Sequence, residues 1–212
     1  MSKFSDWTRE KLGKRFGLRQ VSQLEVLESW LAMPVELTDL EVANLTYLRD
    51  LLAKRVDFWN EEELKIKFIG TLITFVNFET EYFSAFADRV LSGIVDGEEI
   101  SGVPDLMVAT GYQEVGSPFF CLHEYKKEVD NSSPDPAAQC LAAMLTAQTL
   151  NQTGSPIYGV YVVGRNWFFM VLEDKKYAIT TGHNATQDDI FDIFKILKAS
   201  KQIFLQKCQA LT

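Results

Sequence analysis

Cysteine is scarce: Cys121, Cys140 and Cys208 are widely spaced in a chain of 212 residues, with no Cys-x-x-Cys pair. An odd, scattered set excludes a disulfide scaffold and a zinc knuckle, and reads as buried thiols in a reducing compartment. Histidine is scarcer still, with only His123 and His183. The chain therefore has no histidine pair for a metal and no acid–histidine–serine set for nucleophilic catalysis. No apolar run reaches the roughly 18 residues of a membrane span; the longest, residues 157–172, is broken by Gly159, Gly164, Arg165 and Asn166. The amino-terminal stretch lacks the apolar core of a signal peptide, so the expectation is a soluble cytoplasmic protein with no membrane partner. Bases are outnumbered 21 to 29 by acids, for a net charge of −8. That excludes a globally basic nucleic-acid binder and leaves a local basic surface open. What is present is 47% apolar and 12% aromatic, enough for the core of one domain with a helical extension.

Leu24, Leu27 and Leu31 recur at helical spacing, and Met33-Pro34 closes that segment. Thr38-Asp39 caps a second helix carrying Leu40, Leu45, Leu48, Leu51 and Leu52. Before them, Lys3, Arg9, Lys11, Lys14, Arg15 and Arg19 crowd the amino end, as a solvated helical face or as an arm that meets phosphates. Asn60 followed by Glu61, Glu62 and Glu63 is a helix start, with Glu63 placed as the reciprocal capping partner. Its apolar stripe runs through Leu64, Phe68, Ile69, Leu72, Ile73 and Val76, flanked by Glu61 and Glu62.

The centre reads as strand-rich. Residues 80–94 are ambiguous, with Phe83, Phe86 and Val90 expected inside. Residues 102–110 and 119–126 read as two strands around a loop with Gly116-Ser117-Pro118, and residues 131–136 as a polar break. A small-residue helix over 136–151, strands over 157–163 and 167–172, and a helix over 188–206 complete the pattern. The order predicts a mixed sheet with helices on both faces.

With Thr110 facing Phe119 across the hairpin, Asp105 falls opposite Glu124, their Cβ atoms about 4.5–5.5 Å apart. Glu124 and Lys126 share a face of their strand. Opposed carboxylates destabilise a sheet, and a divalent cation relieves that strain. Mg²⁺ is usually held by one or two carboxylates and polarises a phosphodiester. Lys126 would hold or deprotonate water, or balance charge at the attacked phosphorus. His123 alternates with Glu124 and belongs to the opposite face as a core histidine. His183, in a loop, is assigned nothing. Trp167, Phe168 and Phe169 read as core, and Lys195, Lys198 and Lys201 as a solvated stripe.

At these residues the chain resembles the PD-(D/E)xK nuclease superfamily, and within it the nuclease domain of type I restriction enzymes. Pro104-Asp105 matches the first half of the motif and Glu124-Tyr125-Lys126 the second. Glu61 matches the additional acid, with Glu62 as its competitor; an acid, a base four later (Lys65) and an apolar run open the helix in that subgroup. Gln139 matches the subgroup's glutamine, and Gly164-Arg165-Asn166-Trp167 its later turn. The resemblance implies an α/β, restriction-endonuclease-like mixed β-sheet flanked by helices over residues 59–212, with residues 1–58 as an N-terminal helical extension. It implies a metal-dependent endonuclease that hydrolyses DNA, with Mg²⁺ or Mn²⁺ on Asp105, Glu124 and Glu61 and with Lys126 and Gln139 in the catalytic set. Three further expectations stand beside it: a homodimer, a partner subunit that supplies DNA contacts, and a catalytically silent binding module.

Overall fold

A computed structural model describes residues 1–128 and 135–210. Its elements are β1 (Ser2–Lys3), a 3-10 turn (Phe4–Asp6), α1 (Arg9–Phe16), β2 (Arg19–Gln20), α2 (Glu25–Leu31) and α3 (Asp39–Arg55). Next come α4 (Glu61–Leu64), a π-helical turn (Lys65–Ile69), α5 (Gly70–Val76), β3 (Phe83–Ala87), β4 (Leu91–Val95), β5 (Glu98–Gly102) and β6 (Leu106–Thr110). The rest are β7 (Gly116–Lys126), α6 (Pro136–Asn151), β8 (Ile157–Val163), β9 (Asn166–Glu173), β10 (Lys176–Ile179), β11 (His183–Asn184) and α7 (Asp189–Gln209). The protein is mixed α/β. Among the described residues no helix is long and apolar enough to cross a membrane.

The larger sheet runs β2-β10-β9-β8-β7-β6-β3, with β11 on β9. It is mixed: β7 and β8 are parallel, and so are β2 and β10, while the remaining pairs are antiparallel. A parallel pair needs a crossover, and α6 lies between β7 and β8 in the chain. α6 is apolar around most of its circumference because it is covered on both sides. One face meets the large sheet so closely that a Cβ at Gly159 would stand 2.4 Å from Met144 Sδ. The other meets the small sheet β1-β5-β4. On the opposite face of the large sheet, Trp30, Phe68, Trp167, Phe169 and Phe204 knit α2, the π turn and α7 into a second core.

Residues 1–58, expected as a helical extension, are woven into both layers. β1 pairs with β5 and β2 with β10. Phe4, Trp7, Leu12 and Phe16 join the core around α6, and Trp30, Leu45 and Leu52 the core opposite. The ambiguous stretch 80–94 resolves into β3 and the start of β4; Val90, expected inside, is 71% exposed in their connection. Leu40 of α3 is exposed as well. The strand expected over 102–110 is shorter, since Glu98–Gly102 forms its own strand and Pro104-Asp105 lies in the link to β6. Of the polar break at 131–136, residues 131–134 lie outside the described residues; Asp135 caps α6 by accepting from the Ala138 N–H.

The expected hairpin register holds from Leu106 to Val108, ending one residue short of Asp105 and Glu124. Leu106 faces His123, Met107 faces Leu122 and Val108 faces Cys121. Beyond Val108 the register shifts: Ala109 faces Phe119 and Thr110 faces Gly116, not Phe119. A bulge inserts residues on one strand, so Phe120 and Cys121 both point into the same core while Phe119 and Leu122 point into the other.

Candidate active site

Four elements meet at the carboxyl end of β7. Asp105 precedes β6, Glu124 and Lys126 share one face of β7, and Glu61 and Lys65 come from the α4–π turn segment. Asn60 accepts from the Glu63 N–H while Glu63 accepts from the Asn60 N–H, which anchors the start of α4. Lys65 opens the π turn. Such a turn adds a residue to the helical repeat and re-aims what flanks it. Here Leu64, Phe68 and Ile69 are all buried in the core while Glu61 and Lys65 converge on the site.

The charges form one connected chain. Lys65 Nζ lies 2.5 Å from Asp105 Oδ1 and 3.2 Å from Glu61 Oε1. Lys126 Nζ lies 2.7 Å from Glu124 Oε1 and 3.7 Å from Glu61 Oε2. The Tyr125 N–H donates to Asp105 Oδ2 at 2.6 Å, a charge-assisted bond that fixes the carboxylate plane. The site is recessed: the Asp105 side chain is 11% exposed and that of Glu124 9%.

Burial and charge oppose one another here. Burial pushes the Glu124 carboxyl up to about 7; Lys126 draws it down, and the negative charges of Asp105 and Glu61 push it up again. For both lysines burial favours the neutral amine, and the carboxylates outweigh it. Asp105 and Glu61 hold Lys65 above its ordinary value, and Glu124, with Glu61 and Asp105, holds Lys126 above its own. Both are ammonium ions at neutral pH.

Of the residues named from sequence, Asp105, Glu124, Lys126 and Glu61 are therefore brought together. Glu61 is the acid that reaches both lysines, while Glu62 is largely exposed and touches only Lys65, at 3.4 Å. Gln139 sits in the first turn of α6, buried, beside Glu124 in the lining of one cleft. Its Nε2 has no hydrogen-bond partner among the described residues. Lys65 as a member of the site was missed. The signal was its i,i+4 spacing from Glu61, which puts both on one helical face.

The turn between β8 and β9 supports the lysine. The Gly164 N–H donates to the Lys126 carbonyl at 2.8 Å. Gly164 has φ +55°, and a Cβ there would meet the Glu128 backbone at 2.6 Å, so only glycine suits the position. Arg165 fixes the same corner, its N–H and Nε donating to Glu128 at 2.7 and 2.9 Å and its guanidinium pairing with Asp57.

His123 projects from the opposite face of β7, with Nδ1 2.6 Å from the Tyr125 hydroxyl and Nε2 without a partner among the described residues. Burial pushes it down to about 3, so it is neutral. Trp167 and Phe169 are core, as expected, whereas Phe168 is half-buried and stacks on Tyr161; the three cysteines are buried and free. Much of the basic amino end is paired with acids at the surface. Arg9 pairs with Asp135, Arg15 with Glu98 and Lys14 with Glu10, and Lys11 donates to the Asp6 carbonyl.

The donor set suits a small hard cation in part. Among the described residues no three acid, histidine or cysteine side chains form a group that could hold a metal ion. Two carboxylates, Asp105 and Glu124, remain, which is a common protein contribution to a Mg²⁺ site. Lys65 and Lys126 now neutralise them. No protein-family model matches the chain, and no curated protein matches it.

Proposed function

We propose that the chain is a metal-dependent phosphodiester hydrolase of the PD-(D/E)xK type, a DNA endonuclease with a restriction-endonuclease-like sheet. The observation that carries the reading is the meeting of Asp105, Glu124, Lys126 and Glu61 from three separate segments in one recess. Asp105 and Glu124 would hold Mg²⁺ or Mn²⁺, with Glu61 in reserve beside both lysines. Bound there, the ion supplies a Lewis acid for a phosphoryl oxygen.

The protein's own groups do the rest. Lys126 is held charged by its acids, which favours a point cation that balances charge at phosphorus over a base that removes a proton. The Tyr125 N–H orients Asp105, and the turn at Gly164 holds the end of β7. Lys65 holds Asp105 in place and competes for the same oxygen that a metal would take. The reading is tested by incubating the pure chain with plasmid, linear and single-stranded DNA in Mg²⁺, Mn²⁺ or EDTA. Metal-dependent cleavage is expected, and Lys126→Met should reduce it by about 10²–10³-fold with the fold retained by circular dichroism; wild-type turnover in that variant would overturn the assignment.

A second reading has one observation in its favour. Lys65 and Lys126 relieve the repulsion between carboxylates without any ion, so a catalytically silent module would also tolerate this cluster. Loss of cleavage under every metal, with DNA binding retained, would select it.

A further inference from the structure

Toward the other end of β7 from Glu124 and Lys126 lies a cavity of about 260 Å³. It is formed by the start of β7, the segment after α6 and the last turns of α7. Asn151 fixes one wall: its Oδ1 accepts from the Phe119 N–H at 2.8 Å and its Nδ2 donates to the Phe119 carbonyl at 2.7 Å. Pro118, Phe120 and Pro156 give the lining an apolar surface. Among the described residues Lys207 is its one charged side chain.

Lys207 is placed unlike Lys65, Lys126 and Lys198, each of which reaches a carboxylate. It reaches none among the described residues. Its Nζ donates to the Pro156 carbonyl at 3.2 Å and stands 4.8 Å from the centroid of the Tyr158 ring. An ammonium has three N–H donors, and the other two have no protein acceptor among the described residues. A carbonyl and a ring face attract a cation without neutralising it. Burial accordingly pulls Lys207 down to about 8, with no acid to oppose it.

The partner that would reverse this is an anion, and the walls define its body. A free phosphate would have to shed water against prolines and a phenyl ring, at a high desolvation cost. A carboxylate on a ring or short chain puts its charge on the amine and its carbons on the walls. The hydroxyls of Thr153 and Ser155 stand in the same lining as further donors. At about 30 Å³ per water the cavity has room for about nine waters, close to the number of non-hydrogen atoms in benzoate.

We propose that this cavity is a binding site for a small monocarboxylate with an apolar body, its carboxylate on Lys207 and its body against Pro118, Phe120 and Pro156. The site is separate from Asp105, Glu124 and Lys126 and stands independently of the hydrolase reading.

The probe is 4-fluorobenzoate, followed by fluorine NMR on the full chain. Saturable binding is expected. Lys207→Met keeps the apolar stem and removes the charge, and should weaken binding by about tenfold or more, the loss of one hydrogen bond to a charged group. The neutral 4-fluorobenzyl alcohol should bind the wild type more weakly by a similar factor. Lys126→Met, which removes a cation of the other site, should leave binding unchanged. A second measurement needs no variant. In the wild type, 4-fluorobenzoate should slow acetylation of Lys207 by limiting acetic anhydride, read by peptide mass spectrometry, and should not slow that of the exposed Lys14. Absence of saturable binding, equal binding of the alcohol, or binding lost in Lys126→Met and kept in Lys207→Met would each overturn the proposal. An acetylation rate at Lys207 that the probe does not change would overturn it as well.

Discussion

Glu124 and Lys126 leave β7 on one side and His123 and Tyr125 on the other, and the two pairs bury polar atoms by opposite means. On the site face the acids are buried beside cations, three acidic side chains against two ammonium ions linked in one chain of contacts. On the core face charge is given up: the imidazole stays neutral, with its Nδ1 hydrogen-bonded to a phenol 2.6 Å away. A core that has no need of ions can neutralise its histidine. A recess that holds buried acids and ammonium ions together is where titration is most strongly perturbed.

The largest effect that would break this contrast is loss of Asp105. Asp105→Asn removes the closest anion of Lys65, leaving the ammonium with Glu61 and the exposed Glu62. In EDTA it should lower stability by about 2–3 kcal/mol, and the Mn²⁺-induced rise in melting temperature should vanish. For the wild type, an ion at about 100 times its Kd contributes roughly 2.7 kcal/mol. Lys65→Met should do the converse, weakening the fold in EDTA and enlarging the gain from Mn²⁺, because ammonium and ion compete for one oxygen. Equal metal shifts in wild type and Asp105→Asn would remove Asp105 as a ligand.

Comparable in size is the pH response of Glu124. Its folded value, about 7, stands above the ordinary 4.5, so the folded state holds the proton more tightly. The associated stability is complete below pH ~4.5 and is lost as pH rises through ~7. Metal-free Glu124→Gln should therefore gain on wild type above pH 7, by an amount on the order of 3 kcal/mol. Denaturant titrations at pH 5 and 8 measure it, and parallel curves would refute it.

His123 carries the opposite sign. Its folded value, about 3, lies below the ordinary 6.5, so its contribution is complete above pH ~6.5 and is lost as pH falls toward ~3. Replacing both partners, His123→Phe with Tyr125→Phe, should cost about 1 kcal/mol or less at pH 8 and make the fold less sensitive to acid. An unchanged acid limb would show that His123 does not govern it.

The smallest effect concerns the amino end. Neutralising Lys11, Lys14 and Arg15 together would flatten the salt dependence of DNA binding by about 3 in log–log slope if each met a phosphate. With these side chains held by Asp6, Glu10 and Glu98, a change of less than about 1 is expected.

Much of the fold was legible where local chemistry fixes it. Capping boxes mark the starts of α3 and α4, and Asp135 with Pro136 opens α6. Two edge strands of two residues, β1 and β2, were not legible, since each forms only by parallel pairing with a distant segment. The β4–β5 hairpin had a signal that went unread. Asp96-Gly97, both with positive φ, is the turn that such hairpins favour, but Glu98 and Glu99 hid the strand that follows it. The bulge in β7 lay beyond pattern reasoning, because alternation alone cannot place an extra residue.

By itself the sequence determined which residues could do chemistry. Alternation puts Glu124 and Lys126 on one face of β7, and the hairpin sets Asp105 at its far end, because neighbours in sequence and across a short turn are placed by backbone geometry alone. The tertiary structure decided what surrounds them. Packing of the π turn into the aromatic core carries Lys65 onto Asp105, and the covering of α6 by a second sheet turns a surface hairpin into a recess. Both depend on side chains far apart in the chain filling the same volume, which no local pattern records.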